Sequence, residues 1–164
     1  MIRSLKYLSV LVLVLGVIGV ALSGVFLFQG FSKNNLIVER MKIEKVALAL
    51  DPNNPDQVTQ INNATDAQKA ADIIAGHRRA ISPSYQDLLG SGRFDPTKPQ
   101  HLTYAQAMNL ENYLYMAVTA FGLTQVAMGT GAFMLVTSIA LVVVGLVLFW
   151  LSKSVLVPGE AVNK

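Results

Sequence analysis

YLSVLVLVLGVIGVALSGVFLFQGF, Tyr7 to Phe31, carries no charged side chain. A helix rises 1.5 Å per residue, so about 20 residues cross the hydrocarbon layer of a bilayer, and this run is long enough to do so with some tilt. A second uncharged run reaches from Asn112 to Leu151. All ten Asp and Glu residues lie outside these two stretches. An ionised group in hydrocarbon costs several kcal/mol, on the order of 3 by insertion scales, so this segregation reads as an integral membrane protein.

The first run has a competing reading as a cleaved signal peptide, with MIRSLK as its basic start and Ala21-Leu22-Ser23 before a cleavage site. The apolar core of a signal peptide is typically about 7–15 residues. The longer run here favours an uncleaved anchor. Gly16, Gly19 and Ser23 bring small residues onto this helix, with Gly19 and Ser23 at the spacing that lets two backbones approach. They are candidates for helix–helix packing, within the chain or with a partner, and a homo-oligomer through the Gly19/Ser23 face is one form this could take.

The second run is too long for one ordinary span. AFMLVTSIALVVVGLVLFWL, Ala132 to Leu151, suffices alone and ends in an interfacial Trp150 followed by Lys153. The stretch before it is less apolar and finishes in Gly129-Thr130-Gly131. That triplet is either a turn between two spans or a passing point in one long helix. A hairpin asks for more polar turn residues, and a third span would place the two basic tails on opposite sides, so the long helix is preferred.

Between the anchors, Leu36, Val38, Ile43, Val46, Leu48 and Leu50 suggest an extended run after a short continuation of the first helix. Asp51-Pro52-Asn53-Asn54-Pro55 is a turn. Thr65-Asp66-Ala67-Gln68 has capping-box spacing and opens a helix, TDAQKAADIIAGHRRAI, with Ala67, Ala70, Ala71 and Ile74 on one face. Ser82-Pro83 ends it. Ser84 to Leu89 reads as a short helical turn, Gly90 to Pro99 as a loop, and Thr103-Tyr104-Ala105-Gln106 as the start of the long second helix.

The fold expected is therefore an all-α membrane protein. Two transmembrane helices flank a small, mostly helical extracytoplasmic segment, and the second helix continues outside the membrane. The divisions are a cytoplasmic tail 1–6, a span 7–31, an extracytoplasmic segment 32–103, an outer helix 104–131, a span 132–151 and a cytoplasmic tail 152–164. Basic tails argue for the cytoplasm: Arg3, Lys6, Lys153 and Lys164, with Glu160 against them, supply the surplus behind the net charge of +3. Lys33, Arg40, Lys42 and Lys45 argue the other way, but charges in a long segment have less say. The segment itself is close to neutral, so the basic balance does not point to nucleic acid.

No cysteine is present, which excludes disulfides, thiolate metal sites and Cys nucleophiles. His77-Arg78-Arg79 is the densest cationic point and a candidate contact for an anion or a partner, although three cations at a helix C-terminus also complement its dipole. His77 with His101 and Glu111 could ligate a metal, but no ligand spacing supports the set. Met108, Met116, Met128 and Met134 read as packing residues rather than copper ligands. Asn63-Ala64-Thr65 has the N-glycosylation pattern, which matters only in a pathway that modifies such sites. No phosphate loop, nucleotide fingerprint or nucleophile elbow occurs. No catalytic residue, cofactor or metal is expected.

AADIIAGHRRAISPSYQDL and NLENYLYMAVTAFGLTQVAMG, with the anchors around them, resemble a group of small bacterial two-span membrane proteins often mislabelled "aromatic ring-opening dioxygenase". The first stretch resembles that group's histidine-bearing helix and tyrosine-containing turn, here His77 and Tyr85; the second resembles its apolar helix leading into the last span. Gly92 to Gln100 has no counterpart in the group. What the resemblance implies is a bacterial membrane protein whose family function is unknown. The expectation is thus a non-catalytic accessory or structural subunit with a membrane-protein partner or further copies of itself. A ligand-binding or sensing module acting through His77 to Arg79 is the alternative, and a metal-dependent membrane enzyme the third reading.

Overall fold

A computed structural model describes residues 2–44, 47–49 and 58–154. The expected turn at Asp51–Pro55, the apolar positions Val46 and Leu50, and most of the C-terminal tail lie outside the described residues. The order is α1 (Ile2–Ile43), β1 (Ala47–Ala49), β2 (Val58–Gln60), α2 (Ala64–Ile81), α3 (Tyr85–Leu89) and α4 (Pro99–Ser154). The chain is mostly helical, and α1 and α4 each contain a stretch long and apolar enough to cross a membrane. Only 11 % of each apolar window is buried, so these are not the inward-facing helices of a soluble core. The chain divides into two compact units, 1–31 with 125–164, and 32–124.

In the first unit, α1 and α4 run antiparallel in backbone contact. Leu13 lies by Gly145, Gly16 by Val142 and Leu27 by Gly131, so one helix advances as the other retreats with no slip. A Cβ on Gly16 would stand 2.7 Å from Val142 Cγ2 and 2.9 Å from the Val142 backbone nitrogen. One on Gly131 would stand 2.8 Å from the Leu27 side chain and 2.9 Å from the Leu27 nitrogen. One on Gly19 would collide with Ser138 Oγ. Each glycine is a socket for a larger residue of the other helix.

The buried positions recur at every seventh residue: Ser9, Gly16, Ser23 and Gly30 on α1, and Gly131, Ser138, Gly145 and Ser152 on α4. A contact repeated at seven drifts by about 20° per heptad round a straight helix, so keeping it requires left-handed winding. The hydroxyls of Ser9, Ser23 and Ser152 bond within their own helix. Ser9 Oγ donates to Lys6 O at 2.8 Å, Ser23 Oγ to Val20 O at 2.7 Å and Ser152 Oγ to Phe149 O at 2.7 Å. Gly129-Thr130-Gly131, weighed as a turn, is helical throughout.

In the second unit, Leu48 of the expected extended run lies in β1, while the chain before it continues α1 further than expected. It stays helical to Ile43, because Ile37, Val38 and Met41 sit at helical spacing and pack on the α2 core. Arg40 and Lys42 in the last turn complement its dipole. The all-helical expectation is modified by a two-stranded antiparallel sheet, with Ala47 opposite Gln60, Leu48 opposite Thr59 and Ala49 opposite Val58.

The cap of α2 falls at Asn63, not Thr65. Asn63 Oδ1 accepts from Asp66 N at 2.9 Å, and its Nδ2 donates to Asp66 Oδ2 at 2.7 Å. This is a side-chain cap two residues upstream of the expected one, and Asn outranks Thr as a cap. Ser82 ends the helix before Pro83, its N–H donating to Arg78 O. Ser84 caps α3, whose end at Gly90 takes φ +59°, a left-handed conformation that favours glycine.

α4 begins at Pro99, four residues ahead of the expected Thr103 cap. Proline lacks only an N–H that the first turn leaves unpaired anyway. Thr103 Oγ1 donates back to Pro99 O at 2.9 Å, as a residue inside a helix does. The core of this unit is Ile61, the alanines 67, 70 and 71 of α2, and Leu114, Ala117 and Phe121 of α4. Small side chains on α2 admit the large ring of Phe121, which is fully buried.

The glycine sockets make a graded test. Gly131→Ala is expected to destabilise the helix pair by about 2 kcal/mol, as overpacking does. Gly24→Ala, where a Cβ meets nothing within 4 Å, should be neutral. Denaturant unfolding of the two variants in detergent checks both.

Candidate functional site

α2 turns about 100° per residue, so the three consecutive cations at its C-terminal end cannot share a direction. Ala67, Ala71, Ile74 and Arg78 fall on one face at helical spacing, and the first three belong to or pack on the core. Arg78 therefore points inward, while His77 and Arg79 are exposed. On α4, Tyr104, Glu111, Leu114 and Phe121 share the face toward α2.

The two faces meet in a polar cluster. Arg78 Nε donates to Glu111 Oε2 at 2.6 Å, and Nη2 approaches Glu111 Oε1 at 3.4 Å. Nη1 donates to the Tyr104 hydroxyl. The guanidinium carbon lies 5.1 Å from the centre of the Tyr104 ring, and Tyr85 packs on the same ring at 6.3 Å. The ion-paired side chains are 13 % and 11 % exposed. Glu111, as hydrogen-bond acceptor first and counter-charge second, raises the Arg78 pKa above its ordinary value against the opposing effect of burial. A guanidinium held on two sides by an acid and a phenol joins α2 to α4.

A second link joins the same helices. The Tyr115 hydroxyl donates to Asp72 Oδ1 at 2.8 Å. That hydrogen bond, with desolvation second, raises the Tyr115 pKa, because it exists only in the protonated form.

The conceivable metal set does not assemble. Glu111 is held by Arg78, His77 is exposed, and His101 is buried beside Phe94, at 5.6 Å between ring centres. His101 Nδ1 accepts the Asp95 N–H at 3.0 Å, which leaves the ring proton on Nε2. No group of three His, Cys, Asp or Glu stands together among the described residues. The loop before α4 is organised by Asp95, whose carboxylate accepts from Thr97 Oγ1 at 2.6 Å and Thr97 N at 2.9 Å. These bonds lower the Asp95 pKa. Their support is present above the ordinary carboxylate range and is lost as pH falls through the lowered value.

The chain matches no family model, no curated protein and no solved structure. The resemblance of its His77 and Tyr85 helices to two-span bacterial membrane proteins thus brings no family assignment. Gly16, Gly19 and Ser23 lie against α4 of the same chain, so that face is occupied within one molecule. Their counterparts Gly131, Ser138 and Gly145 escaped the sequence reading, although the seven-residue recurrence of small residues in both apolar runs carries the signal. The pairing of Arg78 with Glu111 has no local signature, since the two are 33 residues apart. The nearest hint is that Glu111 stands last before the uncharged run, at helical spacing from Tyr104 and Leu114.

Arg78→Met should cost about 3 kcal/mol, the low edge for breaking a buried ion pair, because Glu111 keeps its charge without a partner. Arg79→Gln should change stability by less than about 0.5 kcal/mol. Adding Glu111→Leu to Arg78→Met should recover much of the loss, and urea unfolding of the three variants measures it. For Tyr115, the bond to Asp72 stabilises the fold fully below the tyrosine's ordinary value of 10.0 and is lost as pH rises through the raised one. Asp72→Asn should move the Tyr115 titration, followed by NMR of labelled tyrosine, back toward 10.0.

Proposed function

We propose that the chain is a non-catalytic integral membrane protein that serves as an accessory or structural subunit of a membrane assembly. The observation that supports this most is how its polar groups are used. The densest cationic point of the sequence lends its central member to an internal ion pair, and the hydroxyls of Ser9, Ser23 and Ser152 bond to their own backbone. What remains open in the second unit includes large apolar side chains of α4, Tyr113, Met116 and Leu123, each about two thirds exposed or more. Such surface suits contact with another protein better than catalysis.

The same reading keeps α1 in the mature chain, because losing it would uncover Gly131 and Gly145. It places both termini in the cytoplasm and the middle segment outside, since the apolar helices carry cations and no acids at their shared end.

The absence of cysteine makes orientation directly measurable. Arg79→Cys is expected to react with a membrane-impermeant maleimide added to intact cells, and Ser154→Cys only after permeabilisation; the reverse pattern would overturn the orientation. Purification of the full chain in mild detergent is expected to retain a stoichiometric companion protein or further copies. A bare monomer would defeat the subunit reading.

A further inference from the structure

We propose that the end of the α1–α4 pair carrying Lys6 and Lys153 binds the headgroup of an anionic phospholipid. The proposal rests on the membrane reading of these helices and assigns a lipid class and two contact residues to it.

The antiparallel register brings the two lysines together. Leu13 lies by Gly145, and the same register carried two turns further sets Lys6 level with Ser152, the residue before Lys153. Both lysines are exposed. Asp and Glu are absent from 1–31 and from 125–154, so nothing acidic on the described residues of this unit can answer them. Neither forms a salt bridge among the described residues.

Lys153 Nζ lies 4.8 Å over the ring of Phe149, one turn back along α4. Tyr7 and Trp150, 76 % and 69 % exposed, stand at the same end, where amphipathic rings mark the headgroup level. Two exposed lysines at one end of a helix pair with no acid among its described residues attract an anionic headgroup there.

The only tryptophan, Trp150, is a reporter at the site. The full chain is reconstituted in phosphatidylcholine vesicles containing phosphatidylglycerol, with either lipid brominated on its acyl chains, and the quenching of Trp150 is measured. Brominated phosphatidylglycerol should quench beyond its mole fraction, and the excess should fall about fivefold for each lysine neutralised in Lys6→Gln and Lys153→Gln. It should shrink in 1 M salt, where screening reaches about 3 Å. Quenching in proportion to mole fraction, or an excess that both lysine variants retain, overturns the headgroup proposal and leaves the membrane reading intact. Failure of either brominated lipid to quench Trp150 overturns both. Circular dichroism of the variants in the same vesicles establishes that they are folded.

Discussion

Contact between the backbones of α1 and α4 is the constraint on which the membrane-like unit depends. Lipid tails are as apolar as leucine, so helices gain little by hiding apolar side chains from them. What distinguishes association from dispersal is close van der Waals approach, and that requires small residues on the shared face. Glycine at positions 16, 131 and 145 brings a neighbouring backbone within reach, and serine at 9, 23 and 152 adds little more bulk because its hydroxyl folds back to a carbonyl of its own helix. With the small residues turned inward, valine, leucine and phenylalanine necessarily cover the outside, as Phe28, Phe133 and Val136 do.

The second unit answers a different problem with different means. There α2 lays alanines against α4 and α1 so that the helices come close, and the cluster of Arg78, Glu111 and Tyr104 fixes which face of α2 is inward. A buried ion pair contributes little net stability over an apolar replacement, but breaking one side of it is costly. Its role here is therefore specific orientation more than strength. Tyr115 and Asp72 add a second, exposed tie between the same elements.

The two apolar helices, α2 and α3 were legible because each depends on local rules: uncharged length, alanines at helical spacing, a proline after Ser82, a serine ahead of Tyr85. The boundaries that moved did so for equally local reasons. Asn63 competes with Thr65 for the same kind of cap, and Pro99 can start a helix where it was read as part of a loop. The helical course of Ile37 to Met41 was not legible, since its reason lies in α2 and Phe121, far along the chain. The same holds for Arg78: its neighbours in sequence are exposed cations, and only the placement of α4 separates it from them. Gly16, Gly19 and Ser23 could be recognised as a packing face, but the choice between a partner and the chain itself depended on matching their recurrence to that of Gly131, Ser138 and Gly145.

A stripe that repeats identically invites a vernier error, in which one helix slides by a full heptad and meets an equivalent stripe. The alternation of serine with glycine removes this degeneracy. Sliding by one heptad would bring Leu27 onto Ser138, and Leu13 onto Ser138 or Ser152, where a Cβ already fills the space that the glycine sockets leave. The pattern therefore returns to itself only after two heptads, roughly 21 Å of travel at 1.5 Å per residue. A displacement of that size would carry each helix's lysine end alongside the apolar stretch of the other, so the order of two of the smallest residues is enough to index where along each other these helices stop.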